Sequence, residues 1–304
     1  MREYQLVREL SASGFSDKDL RRLTRSGEFE RIRHGVYAPP AQRDLEARHR
    51  LLAMSSVDLG SAESVISFGS AAVLHGLPIW PGAVEKVHLT RNRRDSGRIR
   101  STVHVHVAFL GTPDITDLDG YPVTSMPRTF VDHARTVSIA QAVAAGDRAV
   151  ALGMDLEAVG EQLESAKARK GIGRARQATR LLDPRSESPG ESVSRIVICD
   201  NGLPMPDLQV TILDTKDAED ARVDFLWDEF KVIGEFDGKI KYGRLLRPGE
   251  LPGDAVFREK IREDRLRDLG YIVVRWTWDD LWHPRVLIAR IEQALDRAVR
   301  RVHV

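Results

Sequence analysis

The sequence has one cysteine, Cys199, among 304 residues. A single thiol makes no internal disulfide, which excludes a disulfide-stapled secreted scaffold and agrees with a reducing compartment. Cys199 lies in the apolar run RIVIC, where a buried small hydrophobe is expected. No stretch approaches the roughly 20 apolar residues that a membrane span requires. The first ten residues, MREYQLVREL, carry Arg and Glu where a signal peptide needs an apolar run, so a cytoplasmic protein is expected. Excess charge is lacking too. Forty-six Lys and Arg against 45 Asp and Glu leave a net charge of +1, so overall charge gives no argument for a nucleic-acid partner. There is no short repeat and no low-complexity tract.

What is present is a globular composition, 42% hydrophobic and 30% charged, in a chain long enough for two or three domains. Charge is uneven locally. Residues 21–33, 91–100 and 167–180 are rich in Arg and Lys with few acids. A phosphate backbone is the natural partner of such patches, although a solvated helix face explains any one of them.

Three regions differ in character: 1–58, 59–185 and 186–304. In the first, residues 4–10 read as a helix. Ser16 reads as the N-cap of a second helix over 17–26, and Gly27 as its C-terminal stop. That helix turns Leu20 and Leu23 inward, with Phe15 beside them, and leaves Arg21, Arg22 and Arg25 outward. Residues 28–37 read as a hairpin with its turn near His34 and Gly35, carrying Phe29, Ile32 and Val36. Helix, turn, helix and basic hairpin is the plan of a winged helix-turn-helix, whose second helix enters the major groove and whose wing lies on the backbone. Arg21, Arg22, Arg25, Arg31 and Arg33 are therefore candidate DNA contacts.

The words FSDKDLRRLTRSGEFERIRHGVYA (15–38) resemble the N-terminal winged helix of the AbiEi-type antitoxin family. SFGSAAVLHGLP (67–78) and VTSMPRTFVDHAR (123–135) are similar to the part that follows in that family, so the resemblance covers about residues 1–150. It implies DNA binding, often at an operator. The alternative is a small helical domain that docks protein.

In the middle region, residues 86–90 and 103–108 read as strands. His104 and His106 alternate with valines, and His88 lies near. They are either metal ligands or the exposed face of a half-buried strand. His75 reads as structural. Helices are expected over 139–153, 155–169 and 172–182, with a break at Gly171 and Gly173. The polar stretch 183–190 reads as a domain boundary. No chemistry is assigned to this region, which leaves it as a candidate surface for a protein partner.

The last region reads α-β-β-β-α-β-α: a helix over 191–201, strands over 207–213, 221–227 and 231–237, a helix over 255–269, a strand over 271–276 and a helix over 284–299. A turn rich in acids, 214–220, separates the first two strands. Asp224 lies in the second strand. Glu235 and Asp237, two residues apart, share a face of the third. A tight turn at Asp228 and Glu229 makes the two strands antiparallel neighbours, which puts Asp224 and Glu235 at the same end. Clustered carboxylates repel and cost desolvation unless a cation neutralises them. Hard oxygen donors with open water positions suit Mg2+ or Mn2+.

The words GESVSR, GLPMPDLQV, RVDFLW, VIGEFDGKIKY, FREKIREDRLRDLGY and VVRWTWDDL resemble the Vsr-like branch of the PD-(D/E)XK nucleases, over about 188–282. The resemblance makes Asp224 the first motif acid and Glu235 the second. The family has lysine two residues beyond the second acid; this chain has Asp237, a departure that weakens the chemistry. Asp237-Gly238-Lys239 also spells D-x-K, so the expected set is Asp224, Glu235 and Asp237 on the metal with Lys239 assisting. Glu191 is a further acid or simply a helix N-terminal one. Lys239, Lys260 and Arg262 are placed to add positive charge on the phosphate side of a metal-assisted phosphodiester hydrolysis. The competing expectation pairs Glu235 and Asp237 with Arg262 or Arg265. Arg275 is either a partner of an acid or a phosphate contact. Trp276, Trp278 and Trp282 pack or stack on bases. Residues 243–254 close over DNA or merely connect.

The expectation is an α+β multidomain chain: a winged helix-turn-helix, a mixed α/β middle region, and a PD-(D/E)XK α/β domain with a mixed sheet. Its expected function is Mg2+- or Mn2+-dependent endonuclease action on DNA. The rival is a transcriptional regulator or antitoxin-like protein whose nuclease fold does not cut, and an RNA substrate is a third reading. Cutting both strands with one site per chain would call for a homodimer.

Overall fold

The computed structural model of the chain describes residues 2–92, 97–213, 220–238 and 252–302. They form two compact units. One comprises Met1–Ser138 and Met154–Arg176, the other Ile139–Gly153 and Gln177–Val304. Among the described residues no helix is long and apolar enough to cross a membrane.

The first unit opens with strand β1 (Gln5–Leu6), helices α1 (Val7–Ala12) and α2 (Asp17–Ser26), and strands β2 (Glu30–Arg33) and β3 (Val36–Ala38). The sheet order is β1-β3-β2, antiparallel throughout. Helix α2 begins and ends as its sequence dictates. Ser16 Oγ accepts the Asp19 N–H at 3.2 Å, and Gly27 takes φ +78° to close the last turn. Gly35, at φ +77°, turns β2 into β3. The helix expected over residues 4–10 begins only at Val7. Gln5 and Leu6 pair instead with Tyr37 and Val36, and burial of Leu6 against Val36 holds that segment extended.

Next come α3 (Leu45–Asp58), β4 (Val65–Ile66), α4 (Phe68–Leu74), β5 (Val87–Arg91), β6 (Arg98–Ile99), β7 (Val103–Val107), β8 (Ile115–Leu118), β9 (Tyr121–Thr124) and α5 (Met126–Ala134). Helix α6 (Ile139–Ala151) belongs to the second unit, and α7 (Leu156–Ser165) returns to the first; α8 (Ile172–Arg180) follows. The six strands form one mixed sheet, ordered β6-β7-β5-β4-β9-β8. Leu6, Ile32 and Val36 share one core with Leu51, Ile66, Leu89 and Val123. Tyr4 Oη donates to Asp58 Oδ2 at 2.6 Å, and Tyr121 Oη reaches the same oxygen at 3.0 Å. The boundary expected at residue 58 is therefore not a gap in packing. His75 is structural, with its Nε2 2.8 Å from the Thr124 carbonyl.

The second unit adds α9 (Pro189–Asp200), β10 (Asp207–Ile212), β11 (Ala221–Trp227), β12 (Val232–Phe236), α10 (Pro252–Asp268), β13 (Ile272–Trp276), α11 (Trp278–Trp282) and α12 (Pro284–Val302). The sheet runs β10-β11-β12-β13. The first two pairings are antiparallel. The last, β12 with β13, is parallel, with α10 as the crossover. Helix α6 packs on α9, where Arg195 donates to Asp147 at 2.8 Å with both side chains buried. That contact moves residues 139–153 across the boundary expected at 185. Burial pushes the Asp147 carboxyl above its ordinary value, and Arg195 opposes the shift.

Glycine is required where this unit packs most tightly. A Cβ on Gly234 would lie 2.4 Å from the Trp276 ring, and one on Gly190 would lie 2.0 Å from the Phe236 ring. Cys199 corrects an expectation. It is exposed: it lies in the last turn of α9, where Cys199 and Asp200 both face solvent, while residues 190–196 are buried.

Candidate functional site

The acids gather on the β11–β12 pair. The register sets Phe225 opposite Gly234 and Leu226 opposite Ile233. Carried one residue further, it sets Asp224 opposite Glu235. Asp224 Oδ2 accepts the Phe236 backbone N–H at 2.9 Å. Its other oxygen, Oδ1, accepts from Gln209 Nε2 at 3.3 Å, and the same amide donates to Glu191 Oε2 at 2.8 Å. Glu191 is buried in the first turn of α9 and caps that helix as well, taking the Glu187 N–H at 2.8 Å and the Ser188 hydroxyl at 2.7 Å. Three elements thus converge: α9 brings Glu191, β10 brings Gln209 and β11 brings Asp224.

Glu235, buried in β12, has arginine on both oxygens. Arg262 from α10 donates to Oε1 at 2.5 Å, and Arg275 from β13 meets Oε2 at 3.0 Å. Arg275 also meets Glu263 at 3.1 Å. Parallel pairing makes this possible by placing Arg275 directly beside Glu235. Asp237 is half-buried just past the strand, and its N–H donates to the Trp276 carbonyl at 2.7 Å. Lys260 is exposed on α10. Lys239, the stretch 214–219 and residues 243–251 lie outside the described residues. Pro252 to Asp254 begin α10, so the helix expected from 255 starts earlier. Among the described residues, Asp224, Glu235 and Asp237 do not each bring an oxygen within 4.8 Å of the others.

The aromatics around this site pack. Trp276 is buried and donates Nε1–H to Ser194 Oγ at 2.7 Å. Trp278 meets Phe236 edge-on at 5.2 Å and stacks on the largely exposed Trp282 at 6.0 Å.

Gln209 is the member no sequence pattern pointed to. It sits inside β10 at φ +54°, a backbone state that costs a non-glycine residue about 1–2 kcal/mol. Its only signal was an amide side chain in the middle of an apolar strand. Held strain at a residue bridging two carboxylates marks a place where geometry matters more than local stability.

In the N-terminal module, Arg21, Arg22 and Arg25 are exposed along α2, and Arg31 is exposed on β2. Arg22 pairs with Asp19 at 3.3 Å. Arg33 is placed differently: it is half-buried and donates to Ser56 Oγ, and burial pulls its guanidinium below its ordinary value.

The uncharacterized protein Rv2248 of Mycobacterium tuberculosis H37Rv is 31% identical over 280 residues, covering 90% of this chain and 95% of that protein. This chain belongs to the Rv2248 family. A counterpart from strain CDC 1551, the uncharacterized protein MT2308, matches to the same extent. The profile of the AbiEi antitoxin transcriptional regulators matches residues 6–40, the stretch from β1 to just past β3. Among solved structures, the RV2827C protein of Mycobacterium tuberculosis aligns with 70% of this chain and 84% of its own, at TM-score 0.40 and 15% identity.

Proposed function

We propose that the chain is a DNA-binding protein with a metal-dependent nuclease site at Asp224 and Glu235. The observation that carries this reading is the convergence of Glu191, Gln209 and Asp224 next to Glu235, on a sheet whose α-β-β-β-α-β order resembles that expected of a PD-(D/E)XK nuclease. The carboxylate oxygens of Asp224 and Glu235 are hard donors of the type that a divalent cation takes. These two would hold it, with Glu235 giving up an arginine partner, and Asp237 and Glu191 would have to move closer to add further oxygens. Bound there, Mg2+ or Mn2+ would acidify a water and offset charge on the phosphodiester.

The chain's own residues do the rest. Gln209 fixes the orientation of Asp224 and ties it to the buried Glu191. Arg262 and Arg275 balance the charge of Glu235 and present cationic groups where a phosphate arrives. Lys260 extends that surface along α10.

The N-terminal module, read as a winged helix, supplies the DNA grip. Its strand pairing brings β1 onto β3 beside the wing, and α2 offers Arg21, Arg22 and Arg25 to a groove. The match of residues 6–40 to antitoxin-type transcriptional regulators supports that role.

A second reading has a specific observation behind it. Two arginines already neutralise Glu235, and Asp237 stands where the family motif has lysine. Both favour a regulator that binds DNA without cutting. Supercoiled plasmid incubated with the chain and Mg2+ or Mn2+ separates the two. Nicking that disappears in Asp224→Ala and Glu235→Ala supports the nuclease. No cleavage, with salt-sensitive DNA binding that Arg21→Ala/Arg22→Ala/Arg25→Ala weakens, supports the regulator.

A further inference from the structure

The first unit holds a second constellation, made of nitrogen rather than oxygen. Strands β5 and β7 run parallel, with His88 opposite His104 and Thr90 opposite His106. Opposed residues share a face, and so do residues two apart on one strand, so all three imidazoles stand on one side of the sheet. One ring nitrogen of each lies within 4.8 Å of the other two. His88 Nδ1 is 2.9 Å from His106 Nε2, and the His104 and His106 rings stack at 3.9 Å.

The surroundings are built around this group. The Phe68 ring stacks on His106 at 4.0 Å, and it is held there from a backbone at φ +52°. That is a strained state for an aromatic residue. His133 on α5 is buried, neither of its ring nitrogens has a hydrogen-bond partner, and it is near enough to His88 to disfavour protonation there. Burial first, and neighbouring imidazoles second, hold His88 and His106 well below the usual imidazole range.

A half-buried strand face that carried histidines only for solubility would spread them toward water. Here three imidazoles are packed together, no carboxylate among the described residues joins the group, and His88 and His106 share a 2.9 Å hydrogen bond whose proton a metal cation would replace. We propose that His88, His104 and His106 bind one first-row transition-metal dication of the Zn2+ or Co2+ type. Three imidazoles suit such an ion and not Mg2+, so the site is chemically distinct from the acids of β11 and β12. Tetrahedral Zn2+ takes imidazole nitrogen at about 2.0–2.1 Å. Three protein ligands leave the fourth position open. Lys86, Arg135 and Arg169 all lie within electrostatic reach of the group, so an anionic fourth ligand such as hydroxide is favoured.

The test is Co2+ titration of the chelator-stripped full chain, followed by ligand-field absorption and then by Zn2+ competition. The expected result is one Co2+ per chain that gives the intense visible bands of a tetrahedral nitrogen site and is displaced by Zn2+; any Co2+ on the Asp224 and Glu235 carboxylates would add only weak bands. His104→Ala and His106→Gln should each weaken binding by about tenfold or more, the scale that even outer-shell changes reach. His104→Ala is the safer variant, since that ring is the least enclosed of the three, and circular dichroism verifies its fold. Asp224→Ala should leave the bands unchanged. No bands from the wild type, bands that survive in both histidine variants, or bands lost in Asp224→Ala would each overturn the proposal.

Discussion

Gln209 donates its side-chain amide to Glu191 at 2.8 Å from a strand position whose own backbone sits at φ +54°. Removing that amide and removing the strain are separable. Gln209→Ala loses the bonds to Glu191 and Asp224 and keeps the strained Cβ, so destabilisation of about 1–3 kcal/mol is expected. Gln209→Gly loses the same bonds but relieves the left-handed cost, and should recover about 1 kcal/mol of that loss. Urea unfolding of both variants checks the difference. Equal stabilities would mean that the backbone at 209 carries no strain.

Gly234 faces the Trp276 indole, which is fixed by its bond to Ser194. Gly234→Ala forces a methyl against that ring and against Phe225, 3.1 Å away. The expected cost is about 1–3 kcal/mol, read as a lower denaturation midpoint. Gly202, with nothing within 4 Å of its added Cβ but a φ of +72°, is the contrasting control for strain without crowding.

The α2 arginines predict a salt signature. If Arg21, Arg22 and Arg25 meet phosphates, replacing each by alanine lowers the slope of log affinity against log salt by roughly 1. The loss should be similar across DNA sequences, because phosphate contacts carry no sequence information. Arg33→Ala, whose side chain is tied to Ser56, should change the salt slope less than its exposed neighbours.

Buried neutral histidines predict acid sensitivity. Burial holds His133 at about 4, and burial likewise holds His49 at about 4. Between about 6.5 and 4 the unfolded chain binds protons that the folded chain refuses, so stability falls as pH drops through that window. His133 alone accounts for about 3 kcal/mol between those limits. Thermal melts from pH 7 to pH 4.5 should show a steeper decline for the wild type than for His133→Phe. Parallel curves would show that His133 is not the source.

What the sequence made legible was local. Ser16 and Gly27 bound α2 through contacts within four residues, and the strands expected over 86–90, 103–108 and 221–227 coincide within a residue with β5, β7 and β11. The α-β-β-β-α-β order of the last unit and the adjacency of Asp224 and Glu235 followed from one tight turn. What escaped depends on distant partners. Gln5 and Leu6 are extended only because Val36 and Tyr37 lie beside them. The clamp on Glu235 needs Arg262 and Arg275, 27 and 40 residues away along the chain, to arrive by way of a helix and a parallel strand. The three histidines meet only because β5 and β7 are paired in register, which no spacing reveals.

The central claim is that the Asp224–Glu235 pair is a metal-dependent nuclease site, and its most direct test is strand cleavage of a labelled DNA duplex in Mn2+. The wild type is compared with Asp224→Asn and Glu235→Gln, each verified as folded. The account predicts cleavage that requires the metal and falls by about 10–100-fold or more in both variants. Cleavage that persists at the wild-type rate in either variant, or its absence from the wild type, would contradict it.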